Sequence, residues 1–137
     1  MKKILIVAPS LAVGGMEKVL INLVNSLPQE NYNITIKTIY DNFELASNLN
    51  ENIKYSSFYK TCKNKKIDYI KVRLYTFMLK KFTPKLLYRL LIKERYDTEI
   101  AFFRGAAIKI ISGSNNYETN KLAWVHNDFT KCTGIFD

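Results

Sequence analysis

The chain has 137 residues, of which 47% are hydrophobic and 13% aromatic, and its formal net charge at pH 7 is +9. These values exclude a disordered polymer and leave room for one domain with its own core. No apolar run is as long as a membrane-spanning helix, and Cys62 and Cys132 lie far apart, without metal-ligand spacing to His126. We therefore predict a single domain over residues 1–137, with free thiols in a reducing cytoplasm and no metal site.

An apolar run, a glycine pair and an amphipathic segment open the chain. Residues 4–8 predict a buried strand, and the spacing of Val19, Leu20, Leu23, Val24 and Leu27 predicts the apolar face of a helix. Between them, the glycine pair allows a tight turn in which another molecule can contact bare backbone. A helix N-terminus behind such a turn favours an anion such as a phosphate.

The glycine pair itself is Gly14 and Gly15, and Glu17 follows in the first helical turn. The turn matches neither the dinucleotide-binding pattern G-x-G-x-x-G nor the P-loop, so a tight connection without a ligand is an equally open interpretation. Glu17 has two interpretations as well. Its carboxylate can complement the helix dipole, or it can face the ligand.

The remaining segments alternate between strand-like and helix-like patterns. Alternating or compact apolar runs predict strands at residues 31–40, 53–58, 98–103 and 121–125. Helical spacing and start signals predict helices at residues 43–49, at 66–82, from Pro84 behind an N-cap at Thr83, and at 106–112. This alternation is typical of an α/β fold, a Rossmann-like parallel sheet flanked by helices.

Positive charge is concentrated in residues 60–95, where twelve Lys or Arg stand against two acids, a local charge of about +10. A basic stripe runs through this region and consists of Lys66, Arg73, Lys80, Lys81, Lys85 and Arg89. It can be a solvated face that keeps the domain in solution. It can also be a surface that docks on an anionic membrane, with interleaved aromatic residues inserting: Tyr69, Tyr75, Phe82 and Tyr88. No recognised nucleic-acid-binding module is present, and we expect no nucleic-acid partner.

Candidate ligand-binding residues follow three of the predicted strands. In an open parallel sheet, ligands bind beyond the carboxyl ends of the strands. The glycine pair follows the first strand, Arg104 follows the fourth, and His126, Asn127 and Asp128 follow the last. Arg104 suits a phosphate or carboxylate, or caps the sheet edge. His126 is a structural hydrogen-bonder or a functional group, and Asp128 binds a ligand or caps a helix.

The chain resembles the N-terminal domain of family 4 glycosyltransferases, which have the two-domain GT-B architecture. The resemblance is carried first by the K-I-L-I-V strand, the G-G-M-E turn and the apolar helix ending L-V-N-S-L. The later segments Y-D-x-x-I-A-F-F and K-x-A-W-V-H-N-D are similar to the later part of that domain.

The resemblance implies transfer of a sugar, with retention, from a nucleotide-sugar to a cell-surface glycan or lipid-linked acceptor, without a cofactor. It implies that His126 contacts the donor sugar near the reaction centre, and that the glycine pair faces the cleft between domains and binds donor phosphates. Arg104, Asn127 and Asp128 would bind the acceptor. Many members act on membrane-bound acceptors, so the resemblance favours a cytoplasmic protein at the inner face of the membrane.

The E-x7-E signature of the family's C-terminal domain is missing; Glu44 and Glu51 come nearest and are one residue too close. We therefore expect the chain to be the truncated acceptor-side half, inactive without a nucleotide-sugar-binding domain. The alternative is a stand-alone, non-catalytic α/β module that binds a phosphorylated ligand at the glycine pair.

Overall fold

The computed structural model describes residues 1–125, which form five strands and four helices. In chain order they are β1 (Lys2–Ala8), α1 (Gly15–Ser26), β2 (Tyr32–Thr38), β3 (Lys54–Ser57), α2 (Lys65–Lys81), α3 (Pro84–Leu91), β4 (Thr98–Phe102), α4 (Ala106–Ser112) and β5 (Asn120–Trp124). The predicted helix at 43–49 is only one turn of 3₁₀ helix, Ala46–Asn48.

The five strands form one parallel sheet in the order β3-β2-β1-β4-β5, which confirms the predicted Rossmann-like α/β fold. The chain builds outward from β1 to β3 and then returns through α2 and α3 to place β4 on the other side of β1. The strand order therefore reverses between β1 and β4. In folds of this class, that reversal opens a crevice at the carboxyl ends of the two strands.

Strand β1 is buried on both faces, which explains its unbroken apolar run. Its alternate side chains enter two cores. On one face, Ile4 and Ile6 pack with α1 residues such as Leu20 and with the loop after β2. On the other, Leu5 and Val7 pack beneath α2, α3 and α4.

Three predictions of which side chains are buried differ from the structure. Val19 was assigned to the apolar face of α1 but is exposed, whereas Leu20 and Val24 are buried. All side chains of β5 are exposed, although its sequence predicts a buried strand. The spacing along α2 predicts one apolar face made of Ile67, Ile70, Leu74, Phe77 and Met78. Of these, only Met78 packs against the core, together with Tyr75 and Leu79, and the other four are exposed.

The helices begin close to the residues that the sequence predicts, but the expected capping hydrogen bonds are not always made. Helix α3 begins at Pro84 with Thr83 as its N-cap, as predicted, yet the Thr83 side chain makes no capping hydrogen bond. Helix α2 is capped by Asn64, whose side chain accepts from the backbone N–H groups of Lys66 and Ile67. The sequence analysis did not identify that cap.

A buried acid lies on the face of the sheet that packs beneath α2, α3 and α4. Glu99 of β4 has no exposed surface, and its Oε1 accepts a hydrogen bond from the Tyr88 hydroxyl at 2.5 Å. Its Oε2 has no partner within residues 1–125. Burial, together with this hydrogen bond, raises the pKa of Tyr88 to about 12.

Candidate functional site

The loop that joins β1 to α1 is held rigidly against the loop after β2. Leu11 is fully buried, its N–H donates to Asn42 O at 2.8 Å, and its own carbonyl accepts from Leu45 N–H at 2.9 Å. Further along, the backbone N–H of Val13 donates to the Glu44 carboxylate at 3.0 Å. The approach to the glycine pair is therefore preorganised before any ligand arrives.

The two glycines have different surroundings. At Gly14 the backbone is extended, so φ does not require glycine, but a Cβ there would overlap the Glu17 carboxylate. At Gly15, the first residue of α1, a Cβ would meet nothing within 4 Å. Neither glycine adopts positive φ. Gly14 thus makes room for Glu17, while Gly15 leaves open space above the helix start.

The start of α1 keeps its donors available. Within residues 1–125, no acceptor meets the backbone N–H groups of Gly15, Met16 or Glu17. Such groups, with the helix dipole, favour negative charge. Since the Glu17 carboxylate already lies over Gly14, an incoming anion fits only on the Gly15 side, and Glu17 itself is suited to accept hydrogen bonds from hydroxyl groups.

The turn after β4 has an unusual backbone. Phe103 has φ 115° and Gly105 has φ 82°, with the half-buried Arg104 between them. Positive φ at an aromatic residue costs roughly 1–3 kcal/mol and persists only where the surroundings impose it. One such constraint is the Phe103 N–H, which donates to Trp124 O of β5 at 3.0 Å. The strain lies at the point where the strand order reverses.

A narrow crevice of about 10 Å³ lies between these two turns at the carboxyl edge of the sheet. It is lined by the end of β1 and the loop after it, by the first turns of α1, and by the end of β4: Ala8, Pro9, Ser10, Met16, Glu17, Leu20, Phe102 and Phe103. The structure thus brings Pro9 and Ser10 of the β1–α1 loop close to Phe103 of the β4–α4 turn. The predicted residues Gly14, Gly15 and Arg104 do not line this crevice. His126, Asn127 and Asp128 lie outside the described residues.

Sequence reasoning missed several residues near this edge. Asn42 and Glu44 hold the β1–α1 loop, although their polar, Asn-rich segment predicted only a short helix at residues 43–49. Tyr40, Tyr59 and Tyr75 form a cluster beyond β2 and β3, with ring centroids 5.3 to 6.5 Å apart. The residues cluster only because two loops and α2 converge there, and no local pattern signals it.

The basic stripe is exposed along its whole length. Three of the four aromatic residues expected to insert beside it pack into the domain instead, which corrects that expectation. Phe82 packs against the core beneath α2, α3 and α4. Tyr88 is buried and bonded to Glu99, and the Tyr75 hydroxyl donates to Ile39 O at 3.2 Å. No helix within residues 1–125 is long and apolar enough to cross a membrane.

A wider cleft of about 770 Å³ lies at the opposite edge, before β4 and β5. Its charged lining is mixed: Arg89, Lys93, Glu94, Arg95 and Glu118. Because it lies at the amino ends of the strands and combines both signs of charge, it does not define a ligand as the carboxyl edge does. In the described part of the chain, no group of three or more His, Cys, Asp or Glu side chains could hold a metal ion.

No protein-family model matches the chain, and no curated protein matches its sequence. The fold and the geometry of the carboxyl edge are therefore the basis for assigning a function.

Proposed function

We propose that this domain is the acceptor-side half of a retaining GT-B glycosyltransferase, which moves a sugar from a nucleotide-sugar to a cell-surface glycan or lipid-linked acceptor. One observation carries the proposal. The β1–α1 loop, through Pro9 and Ser10, and the strained β4–α4 turn, through Phe103, line the same crevice where the strand order reverses. That is the place where open α/β sheets bind their ligands.

Groups at the carboxyl edge of the sheet suit a substrate that carries both hydroxyls and phosphate. Glu17 offers a carboxylate to hydroxyl groups, and the N–H groups at Gly15 offer donors to a phosphate oxygen. Arg104 follows β4 at this edge, and its planar fork matches a phosphate or pyrophosphate of a lipid-linked acceptor. Neutral His126 would donate or accept a hydrogen bond at the sugar being transferred.

In this proposal, the domain supplies half of the reaction. A second domain holds most of the nucleotide-sugar, and basic and backbone groups stabilise the charge that develops on the leaving phosphate. This half positions the acceptor and shapes the anomeric centre through His126. Residues 1–137 by themselves would not turn over substrate, and the working site would lie in the cytoplasm.

The test uses the full-length protein encoded by the gene, with release of the nucleotide measured for a panel of nucleotide-sugars. His126→Ala should reduce turnover at least a hundredfold while leaving thermal unfolding unchanged. Arg104→Ala should raise the KM for a phosphate-bearing acceptor. Arg95→Ala, an exposed arginine at the other edge, is the matched control. Wild-type turnover in His126→Ala contradicts the assigned role of this residue.

The second candidate is a non-catalytic module that binds a phosphorylated ligand at Gly15. The open space above this residue favours it equally. The gene's full length separates the two, since a downstream domain with paired glutamates at the E-x7-E spacing favours the enzyme. A full-length protein that binds pyrophosphate but releases nucleotide from no nucleotide-sugar would favour the module.

A further inference from the structure

Helix α2 presents a row of large apolar side chains to solvent. We call Ile67, Ile70, Leu74 and Phe77 the apolar row; they are 48% to 63% exposed. Their spacing of three, four and three residues puts them on one face of the helix. Of the α2 residues, all of which the structure describes, only Leu79 is fully buried. A contiguous exposed row of this kind marks an interaction site more often than a solvated face.

The row is exposed because α2 is fixed from its other side. Near its N-terminus, the Asp68 carboxylate accepts from the Tyr59 hydroxyl at 2.6 Å and from the Cys62 N–H at 2.7 Å. Near its C-terminus, Lys109 Nζ of α4 donates to the carbonyls of Leu79 and Lys80, each at 2.8 Å. The helix is thus held at both ends, and the apolar row faces away from the domain as part of the fold.

Basic residues border the row on both sides. At about 100° per residue, Lys66, Arg73 and Lys80 lie along one border of the row, and Lys81 follows the row at its C-terminal end. Lys71 lies along the other border, where its Nζ donates to Cys62 Sγ at 3.0 Å. Helix α2 contains six Lys or Arg and one acid, Asp68, whose carboxylate is held by its two hydrogen bonds. Next along the chain, α3 adds exposed leucines beside the rest of the basic stripe.

This arrangement discriminates between possible partners. A nucleic acid would contact the cations but leave the aliphatic side chains without a role. A second copy would bring one cationic helix against another, with like charges facing each other. An anionic lipid surface satisfies both features, because acyl chains take up the apolar row while phosphates meet the cations at its borders.

We propose that α2 is an interfacial membrane-docking helix, which lies parallel to an anionic bilayer with Ile67, Ile70, Leu74 and Phe77 inserted between the headgroups. This differs from the aromatic insertion expected from the sequence, since the inserting groups are mainly aliphatic. The proposal stands on α2 alone and does not depend on glycosyl transfer. Vesicle binding without sugar transfer, or sugar transfer without vesicle binding, would distinguish the docking proposal from the proposed function.

The first test measures sedimentation of the full-length protein with phosphatidylglycerol–phosphatidylcholine vesicles and with pure phosphatidylcholine vesicles. Binding should require the anionic lipid and weaken with salt. Ile70→Ser with Leu74→Ser should weaken binding at least tenfold without lowering the free energy of unfolding, because both side chains are exposed. Lys66→Gln with Arg73→Gln should weaken it about fivefold for each charge removed.

Matched controls come from other surfaces of the domain. Tyr117→Ser removes an exposed aromatic ring in the α4–β5 loop, and Lys54→Gln removes an exposed cation on β3. Both variants should bind vesicles as the wild type does. Equal binding by the apolar-row variant, or equal binding to phosphatidylcholine alone, overturns the proposal.

A second measurement reports insertion directly. Tryptophan is introduced as Leu74→Trp, with Tyr117→Trp as the control, in a Trp124→Phe background that removes the one tryptophan of residues 1–137. Vesicles with brominated acyl chains should quench the tryptophan fluorescence of Leu74→Trp and leave that of Tyr117→Trp unchanged. Absence of quenching overturns insertion. Tighter retention on DNA than on vesicles, unaffected by the serine substitutions, would instead make the surface a nucleic-acid site.

Discussion

Gly15 is the residue at which the ligand hypothesis can be separated from the requirements of the fold. Its φ is not positive, and an added Cβ would meet nothing within 4 Å, so the folded chain does not need glycine there. At Gly14 an added Cβ would overlap only the far end of the Glu17 side chain, which can rotate away. A glycine that the fold does not require is a reason to look for a ligand at that position.

We predict that Gly15→Ala raises the free energy of unfolding by roughly 0.4–1 kcal/mol, because alanine lowers the entropy of the unfolded chain. If the full-length protein carries out the proposed sugar transfer, the same methyl group should hinder a ligand that approaches the helix start and lower kcat/KM for the nucleotide-sugar. Urea denaturation and nucleotide release measure the two effects. Normal turnover in the stabilised variant would show that no substrate contacts the backbone at this turn.

Tyr88 connects a single buried hydrogen bond to the pH dependence of stability. The folded state raises the pKa of this hydroxyl from 10.0 to about 12, through burial and the bond to Glu99. Between those pH values the unfolded chain has lost the proton and the folded chain retains it. The unfolded state then binds fewer protons, so stability falls as pH rises through this window and is fully retained below it.

We predict that Tyr88→Phe costs roughly 1–3 kcal/mol at neutral pH, because buried Glu99 loses its hydroxyl donor. The variant should also lose stability less steeply between pH 10 and 12, since the group with the raised pKa is gone. Tyr59 titrates in the same window, so part of the slope should persist. Urea denaturation across this range measures both effects, and an unchanged slope would show that Tyr88 is not responsible.

At the scale of elements, the packing of α4 against α3 depends on one close backbone contact. Gly113 ends α4, and a Cβ there would overlap the backbone carbonyl of Pro84 at the start of α3. Its φ is −83°, so the glycine is needed for space rather than for conformation. The neighbouring atoms are main chain and cannot rotate away.

We predict that Gly113→Ala destabilises the domain by roughly 1–3 kcal/mol, the usual cost of overpacking, because α3 and α4 must separate. Gly15→Ala is the matched control, the same chemical change at a position with open space. Urea denaturation of both variants measures the difference. Equal stability of the two would show that α3 shifts at no cost, contrary to the tight contact.

At the scale of the whole molecule, two surfaces have separate physical origins. The crevice arises where the strand order reverses, so it belongs to the topology of the sheet. The exposed apolar row arises because α2 crosses from β3 to β4 and reaches the core with only part of its surface. The two proposals rest on different elements, and each has its own experiment.

The sequence by itself determined the elements and the edge at which a ligand is expected. Apolar periodicity and the glycine and proline signals depend on neighbouring residues, so strands such as β1 and the start of α3 at Pro84 were predictable. Parallel pairing also followed, because strands separated by helices return in the same direction.

Only the tertiary structure decided which surfaces are buried. The exposed row on α2, the burial of Glu99 beneath Tyr88, the Glu17 carboxylate over Gly14 and the strained turn at Phe103 could not be predicted from local pattern. Burial depends on which distant segments pack together, and an amphipathic pattern shows that a helix has an apolar face without showing what will cover it.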